Sequence, residues 1–212
     1  LAALAAQDTG TDPVLVVTPA DQTVTDAQAF DQALQTAIAE AAQGHIVILG
    51  VTPTHPETGY GYIQTSQTTS LRGKVEAIQV VQRFVEKPSH AVALEYLASG
   101  QYAWNGGMFA FKASDVLKGL LEHSPEVHQA ASTVWSGVKT SAQNKAQTCT
   151  FDPTQFNTLP DISIDYALME KSSNVAVVPS AGLVLGGYVL AVLMGAPVAL
   201  LITAGALIFG PW

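Results

Sequence analysis

Three observations predict an α/β fold on a mixed, mostly parallel sheet, followed by a C-terminal apolar helix. Between residues 14 and 51 two short β-branched runs flank an amphipathic segment, giving strand, helix, strand, the order of a parallel βαβ unit. Two further strand-like stretches then follow each other with no helix between them, which adds an antiparallel hairpin. After Pro179 the chain carries no charge and becomes continuously apolar.

Asp12 and Pro13 lead into Val14 to Val17, a short run closed by Pro19 that reads as a buried strand, and Asp21 lies just past its carboxyl end. From Asp26 to Ala42 the residues Phe30, Leu34, Ala37, Ile38 and Ala41 recur at steps of three and four, with Asp26 near the start and Gly44 after the end, as in an amphipathic helix. Ile46 to Val51 is a second buried strand. Gly59 to Ile63 and Val75 to Val85 are strand-like and separated by a Thr, Ser and Gln-rich stretch, so they are expected to pair as a long hairpin. Ser89 to Leu97 reads as helix, Met108 to Phe111 as a short strand, and Ser114 as the cap of a helix running to about Glu122. Pro125 opens a weaker helix through Val138, Ser141 to Thr150 is irregular, Ile164 to Lys171 suits a helix, and Val175 to Val178 a last buried strand.

The 212 residues include 9 basic and 17 acidic side chains, a charged fraction of 12% against the roughly 25% of ordinary soluble domains. That balance, with no basic cluster, argues against nucleic-acid binding. Cys149 is the single cysteine, so no internal disulfide forms, and the five histidines show no metal-ligand spacing. Leu1 to Ala6 lacks the basic region of a signal peptide and looks like a chain joined in mid-domain, and the globular part reads as cytoplasmic. Leu183 to Phe209 is apolar over 27 residues. As a helix it would be about 40 Å long against a hydrocarbon core of about 30 Å, enough to span a membrane with a tilt or a break at Pro197. The chain is therefore divided into a globular domain at 1–179 and an apolar, membrane-spanning segment at 180–212.

Phosphate-loop, dinucleotide and nucleophile-elbow motifs are absent. The candidates are polar residues at strand ends. Asp21 follows the first strand, where ligands of open α/β sheets bind, and is either a divalent-cation ligand or a turn aspartate. Glu86 and Lys87, stopped by Pro88, form a solvated strand end or a clamp for hydroxyls and an anion. Asn105, Gly106 and Gly107 allow a close backbone approach to a ligand or a tight turn. Asp165 is a first-turn helix charge unless it faces a site.

In order, Thr18-Pro19-Ala20-Asp21, Pro53-Thr54-His55-Pro56-Glu57-Thr58-Gly59-Tyr60-Gly61-Tyr62-Ile63, Phe84-Val85-Glu86-Lys87-Pro88, Trp104-Asn105-Gly106-Gly107-Met108-Phe109 and Ser163-Ile164-Asp165-Tyr166-Ala167-Leu168-Met169-Glu170-Lys171 resemble bacterial mannose-1-phosphate guanylyltransferases, over about Leu1 to Pro179. The resemblance implies a doubly wound, Rossmann-like nucleotidyltransferase sheet. It implies formation of GDP-mannose and pyrophosphate from GTP and mannose 1-phosphate, with Asp21 ligating Mg²⁺ and Lys87 neutralising the sugar phosphate. Glu86, Asn105 and the Gly61 backbone would read mannose hydroxyls, and Asp165 would line the same pocket.

The departures are specific. Members of that family begin with a Gly-rich loop that cradles the triphosphate and continue after the last strand with an aspartate for the metal, and neither is found here, so the domain reads as truncated. Gln22 stands where His is usual and Gly106 where Ser is usual, both read as tolerable changes. The apolar tail faintly resembles a membrane helix of tripartite dicarboxylate transporter permeases. The rival readings are a membrane-anchored sugar-phosphate-binding remnant without catalysis, and a fusion whose tail belongs to a transporter.

Overall fold

The computed structural model of the chain describes residues 1–19, 23–65, 79–143, 146–180 and 183–184. A short helix α1 (Ala2–Gln7) precedes β1 (Val14–Val17) and the two-residue β2 (Thr23–Val24). α2 (Ala27–Ala41) starts where the periodicity places it, because the Asp26 carboxylate accepts hydrogen bonds from the N–H groups of Gln28 and Ala29 and so caps the first turn. β3 (Ile46–Val51), β4 (Tyr62–Thr65) and β5 (Gln79–Val85) follow, and β4 and β5 pair antiparallel as expected. α3 (His90–Ser99) is capped by Ser89 and closed by Gly100 in the left-handed conformation.

Sequence and structure then diverge. The short strand expected at Met108 to Phe111 is the end of β6 (Tyr102–Lys112), eleven residues long. α4 (Ala113–His123) begins one residue before Ser114, which is not its cap. Instead the Asp12 carboxylate, from before β1, accepts from both the backbone N–H (2.8 Å) and the hydroxyl (2.7 Å) of Ser114. α5 (Pro125–Ser136) is followed by β7 (Lys139–Gln143) and β8 (Ala146–Thr150), which form an antiparallel hairpin where irregular chain was expected. After α6 (Pro153–Phe156), Asp165–Met169 forms a π-helical turn in place of the expected α-helix. The chain then enters β9 (Val175–Ser180) and the two-residue β10 (Leu183–Val184).

The main sheet has the order β1-β6-β3-β9-β5-β4, and β4 also pairs with β6. The pairings β6–β3, β3–β9, β9–β5, β5–β4 and β4–β6 thus close a five-strand ring. The sheet is mixed, but it is not mostly parallel: among the described residues β3–β9 is its one parallel ladder. β1 and β3 do run in the same direction. They are separated by β6, which is antiparallel to both, because Met108, Phe109, Ala110 and Phe111 are buried and need partners on both edges.

Two layers of helix cover the two faces. Alternate residues of the strands divide between them: Val47, Leu49, Val51, Ala176 and Val178 face α2, while Ile46, Ile48, Val175 and Val177 face α1, α4 and the π turn. The α2 layer lies close because Ala33, Ala37 and Ala41 present only methyl groups to the strands.

Leu183 and Val184, the expected start of the apolar helix, pair in extended conformation with Val24 and Thr23. No described helix is long and apolar enough to cross a membrane, and residues 185–212 lie outside the described residues. So do Asp21, Gln22 and residues 66–78.

In the β3–β6 ladder Gly50 stands opposite Asn105 and Ile48 opposite Phe109, so Gly106, Gly107 and Met108 bulge against Leu49 alone. Gly107 takes φ +64°, which L side chains seldom adopt, and a Cβ on Gly106 would run into the Leu49 carbonyl oxygen. The Ser expected there from the resemblance therefore does not fit this backbone. Gly106→Ala is expected to lower stability by about 2 kcal/mol, as overpacking a rigid neighbour does, read as a lowered urea midpoint with unchanged slope.

Candidate functional site

Register alone brings three of the sequence-selected segments together. Tyr62 is the partner of Val85 on one edge of β4 and of Trp104 on the other. One residue earlier, Gly61 therefore lies between Glu86 and Asn105. The Asn105 N–H donates to the Gly61 carbonyl (2.8 Å) and the Lys87 N–H to the Tyr60 carbonyl (3.3 Å), which extends both pairings to the point where the strands end. A Cβ on Gly61 would stand 2.5 Å from Oε2 of Glu86, so the missing side chain is the space the carboxylate fills.

Asp165 arrives from the helical layer. Its Oδ1 accepts from Nδ2 of Asn105 at 2.9 Å, and Oδ1 of Asn105 in turn accepts from the N–H of Gly107 at 3.0 Å. The bulge thus orients the amide, and the amide holds the carboxylate. Of the six residues selected from the sequence, Gly61, Glu86, Lys87, Asn105 and Asp165 meet here, and Asp21 is outside the described residues.

Electrostatically the site is a carboxylate cluster, with Lys87 acting on Glu86 and Lys171 on Glu170. Burial pushes the Glu86 carboxyl upward, the charge of Asp165 raises it further, Lys87 opposes the shift and Glu170 adds to it. Burial raises Asp165, against the Asn105 hydrogen bond that lowers it. Glu170 is raised by burial and then by Asp165. Oε2 of Glu86 is buried and, among the described residues, has no hydrogen-bond partner, a costly state for a carboxylate oxygen. The Lys87 ammonium is 4.0 Å from Oε1 of Glu86 on a side chain 66% exposed, so it is available to a second anion. Its backbone is held at φ +46° directly before Pro88, a strained setting that fixes where the side chain leaves the chain.

The loop before Gly61 is braced internally. Oε1 of Glu57 accepts from the N–H groups of Thr58 (2.8 Å) and Gly59 (2.9 Å), and the Tyr62 hydroxyl donates to the Glu57 carbonyl (2.9 Å). The Gly59 hydrogen bond, helped by those of Thr58 and His55, holds the Glu57 carboxyl below its usual range against the opposing effect of desolvation. The edges of His55 and Tyr60 meet Trp104, with ring centroids 4.9 and 5.3 Å away. Sequence reasoning missed Glu170 and this aromatic wall. The signal for Glu170 was its place five residues after Asp165, which a π turn, unlike an α turn, brings to the same side.

The sequence model of the Nucleotidyl transferase family matches residues 1–153. The chain belongs to that family. This nucleotidyl transferase is 44% identical over 179 residues to the xanthan biosynthesis protein XanB of Xanthomonas campestris pv. campestris strain B100, covering 84% of this chain and 36% of the relative. It is 42% identical over 171 residues to a mannose-1-phosphate guanylyltransferase of Sinorhizobium fredii (81% and 32% covered). It is 41% identical over 174 residues to the alginate biosynthesis protein AlgA of Pseudomonas aeruginosa PAO1 (82% and 35%). The chain thus spans about a third of the length of these curated relatives. Among solved structures it resembles a mannose-6-phosphate isomerase from Helicobacter pylori, with TM-score 0.75, 30% identity, and 85% of this chain and 67% of that one covered. It also resembles a Thermus thermophilus protein described as a mannose-1-phosphate geranyltransferase, with TM-score 0.69, 37% identity, and 84% and 48% covered.

The upward shifts in the carboxylate cluster of this nucleotidyl transferase set the sign of its pH dependence. A carboxyl whose folded pKa lies above its unfolded value holds its proton longer in the native state, so stability falls as pH rises through the raised value. Glu86→Gln is expected to raise unfolding stability by about 1 kcal/mol at pH 7, since a buried, unpartnered charge is removed. The gain should shrink as pH falls through the raised value and below the unfolded carboxyl value of about 4.3, where Glu86 becomes protonated in both states, in urea titrations run across that range.

Proposed function

We propose that this chain forms GDP-mannose and pyrophosphate from GTP and mannose 1-phosphate, with the cluster around Gly61 as the sugar-phosphate pocket. The unpartnered Oε2 of Glu86 is the observation that carries the reading. A carboxylate oxygen buried beside a glycine, with an amide and a second carboxylate next to it, is completed by sugar hydroxyls, which donate to the carboxylates and accept from the amide. The hydrogen bonds formed on binding would then offset the desolvation already spent on Glu86 and Asp165.

In the reaction a phosphate oxygen of the sugar attacks the α-phosphorus of GTP, one P–O bond forms, another breaks, and pyrophosphate leaves. Positioning and charge neutralisation carry such a transfer. Lys87 would face the sugar phosphate, its exposed ammonium leaving Glu86 for the hydroxyls. Glu86, Asn105, Asp165 and the Gly61 backbone would fix the ring so that the phosphate points along the line of attack.

Mg²⁺ belongs to the same reading. Among the described residues no three His, Cys, Asp or Glu side chains converge on a cation site. In this reading the ion is held by one carboxylate, Asp21, and by substrate phosphates, the usual way magnesium binds nucleotides. Bound there, it would neutralise charge on the triphosphate. Within this reading the domain of 1–179 works in the cytoplasm on soluble substrates.

The test is GDP-mannose formation from GTP and mannose 1-phosphate with Mg²⁺. Lys87→Ala and Asp21→Ala are each expected to cut kcat/KM by about a hundredfold or more, the scale of losing a charge-stabilising group. Turnover unaffected by Lys87→Ala would overturn the assignment of that residue. Calorimetric binding of mannose 1-phosphate without any turnover would reduce the reading to sugar-phosphate binding.

A further inference from the structure

Asp165 stands on a turn held both by its own backbone hydrogen bonds and by side chains from outside it. The Glu170 N–H reaches back to the Asp165 carbonyl at 3.0 Å, the π spacing, and the N–H groups of Lys171 and Ser172 both go to the Leu168 carbonyl. The Ala167 carbonyl is satisfied from outside: the hydroxyl of Ser124, a residue with no exposed surface, donates to it at 2.8 Å. Ser124 Oγ in turn accepts from the Lys171 ammonium at 3.0 Å, and the same ammonium donates to the His123 carbonyl at 3.1 Å. His123 is the last residue of α4, so the cation sits at the helix end whose dipole favours it. Four residues before His123, a Cβ on Gly119 would lie 2.6 Å from Cδ1 of Leu168, so α4 and the turn are in closest packing there.

We infer that Lys171 and Ser124 are positioning residues that lock the π turn to the end of α4 and thereby set the Asp165 carboxylate against Asn105. Lys171 does not act on the substrate's phosphate: two of its three donors are already taken by His123 and Ser124 on the far side of the turn. The inference deepens the proposed function and rests on it for the identity of the ligand, mannose 1-phosphate.

Two readouts on the full chain test it. In steady-state assays Lys171→Met is expected to raise KM for mannose 1-phosphate about tenfold with kcat within about twofold and KM for GTP unchanged, as loss of uniform binding does. Lys171→Arg should restore most of the loss. In an Asp165→Asn background Lys171→Met should add nothing, because the pair acts through that carboxylate. The second readout needs no substrate: the side-chain amide resonance of Asn105, in ¹⁵N-labelled protein, should move in Lys171→Met and return in Lys171→Arg. If Lys171→Met fails to fold, Ser124→Ala carries the same two readouts. An unmoved Asn105 resonance, or losses that add to those of Asp165→Asn, would overturn the inference. If the wild-type chain neither binds nor converts mannose 1-phosphate, the proposed function fails, and the Asn105 resonance still decides whether Lys171 positions Asp165.

Discussion

The structure depends on β6 being paired on both edges at once. Its second half fills the space between β1 and β3, its first half pairs with β4 and with the end of β3, and between the two halves the bulge at Gly106 to Met108 takes up the mismatch. On the edge of β6 between β4 and β1, the Asn105 N–H meets the Gly61 carbonyl just before β4 begins. The site is what remains after the strand has met its pairing obligations. Its polar side chains are placed by backbone register more than by one another, and so the cluster can include three mutually repelling carboxylates.

That repulsion explains how sparse charge is used here. With 12% charged residues the chain has few ionisable groups to place, yet Glu86, Asp165 and Glu170 lie within electrostatic reach of one another, while Lys171 eases only Glu170 and hydrogen-bonds at the end of α4. A fold selected for stability alone would place a cation between the carboxylates. Among the described residues Oε2 of Glu86 is left buried without a partner, the state that a donor bound from outside would complete.

What the sequence made legible followed from local physics. β3 and β9 are apolar on both faces and read as buried strands, and α2 shows its period and its Asp26 cap. The site residues were legible as motifs at strand ends. What stayed hidden needed long-range information. Asn105-Gly106-Gly107 reads locally as a turn, and only two flanking strands make it a bulge within an eleven-residue strand. The parallel expectation for β1 and β3 held for direction and failed for adjacency, because a βαβ unit does not say what is inserted between its strands. The β7–β8 hairpin escaped because Thr, Ser and Gln give no contrast between its two faces. Ser124 gave no signal at all, since its partners at 167 and 171 are more than forty residues away.

The closed ring of strands also sets an order of assembly. β5, which ends in Glu86 and Lys87, is held on one side by β4 and on the other by β9. β9 lies about a hundred residues further along the chain, so closing the ring carries the entropic cost of a long loop. During synthesis the strands of the first half can form their local pairings, but the ring closes only after Val175–Ser180 has left the ribosome. The residues of the candidate site therefore come together at the end of folding and all at once, and a chain that stops short of β9 has their sequence without their geometry.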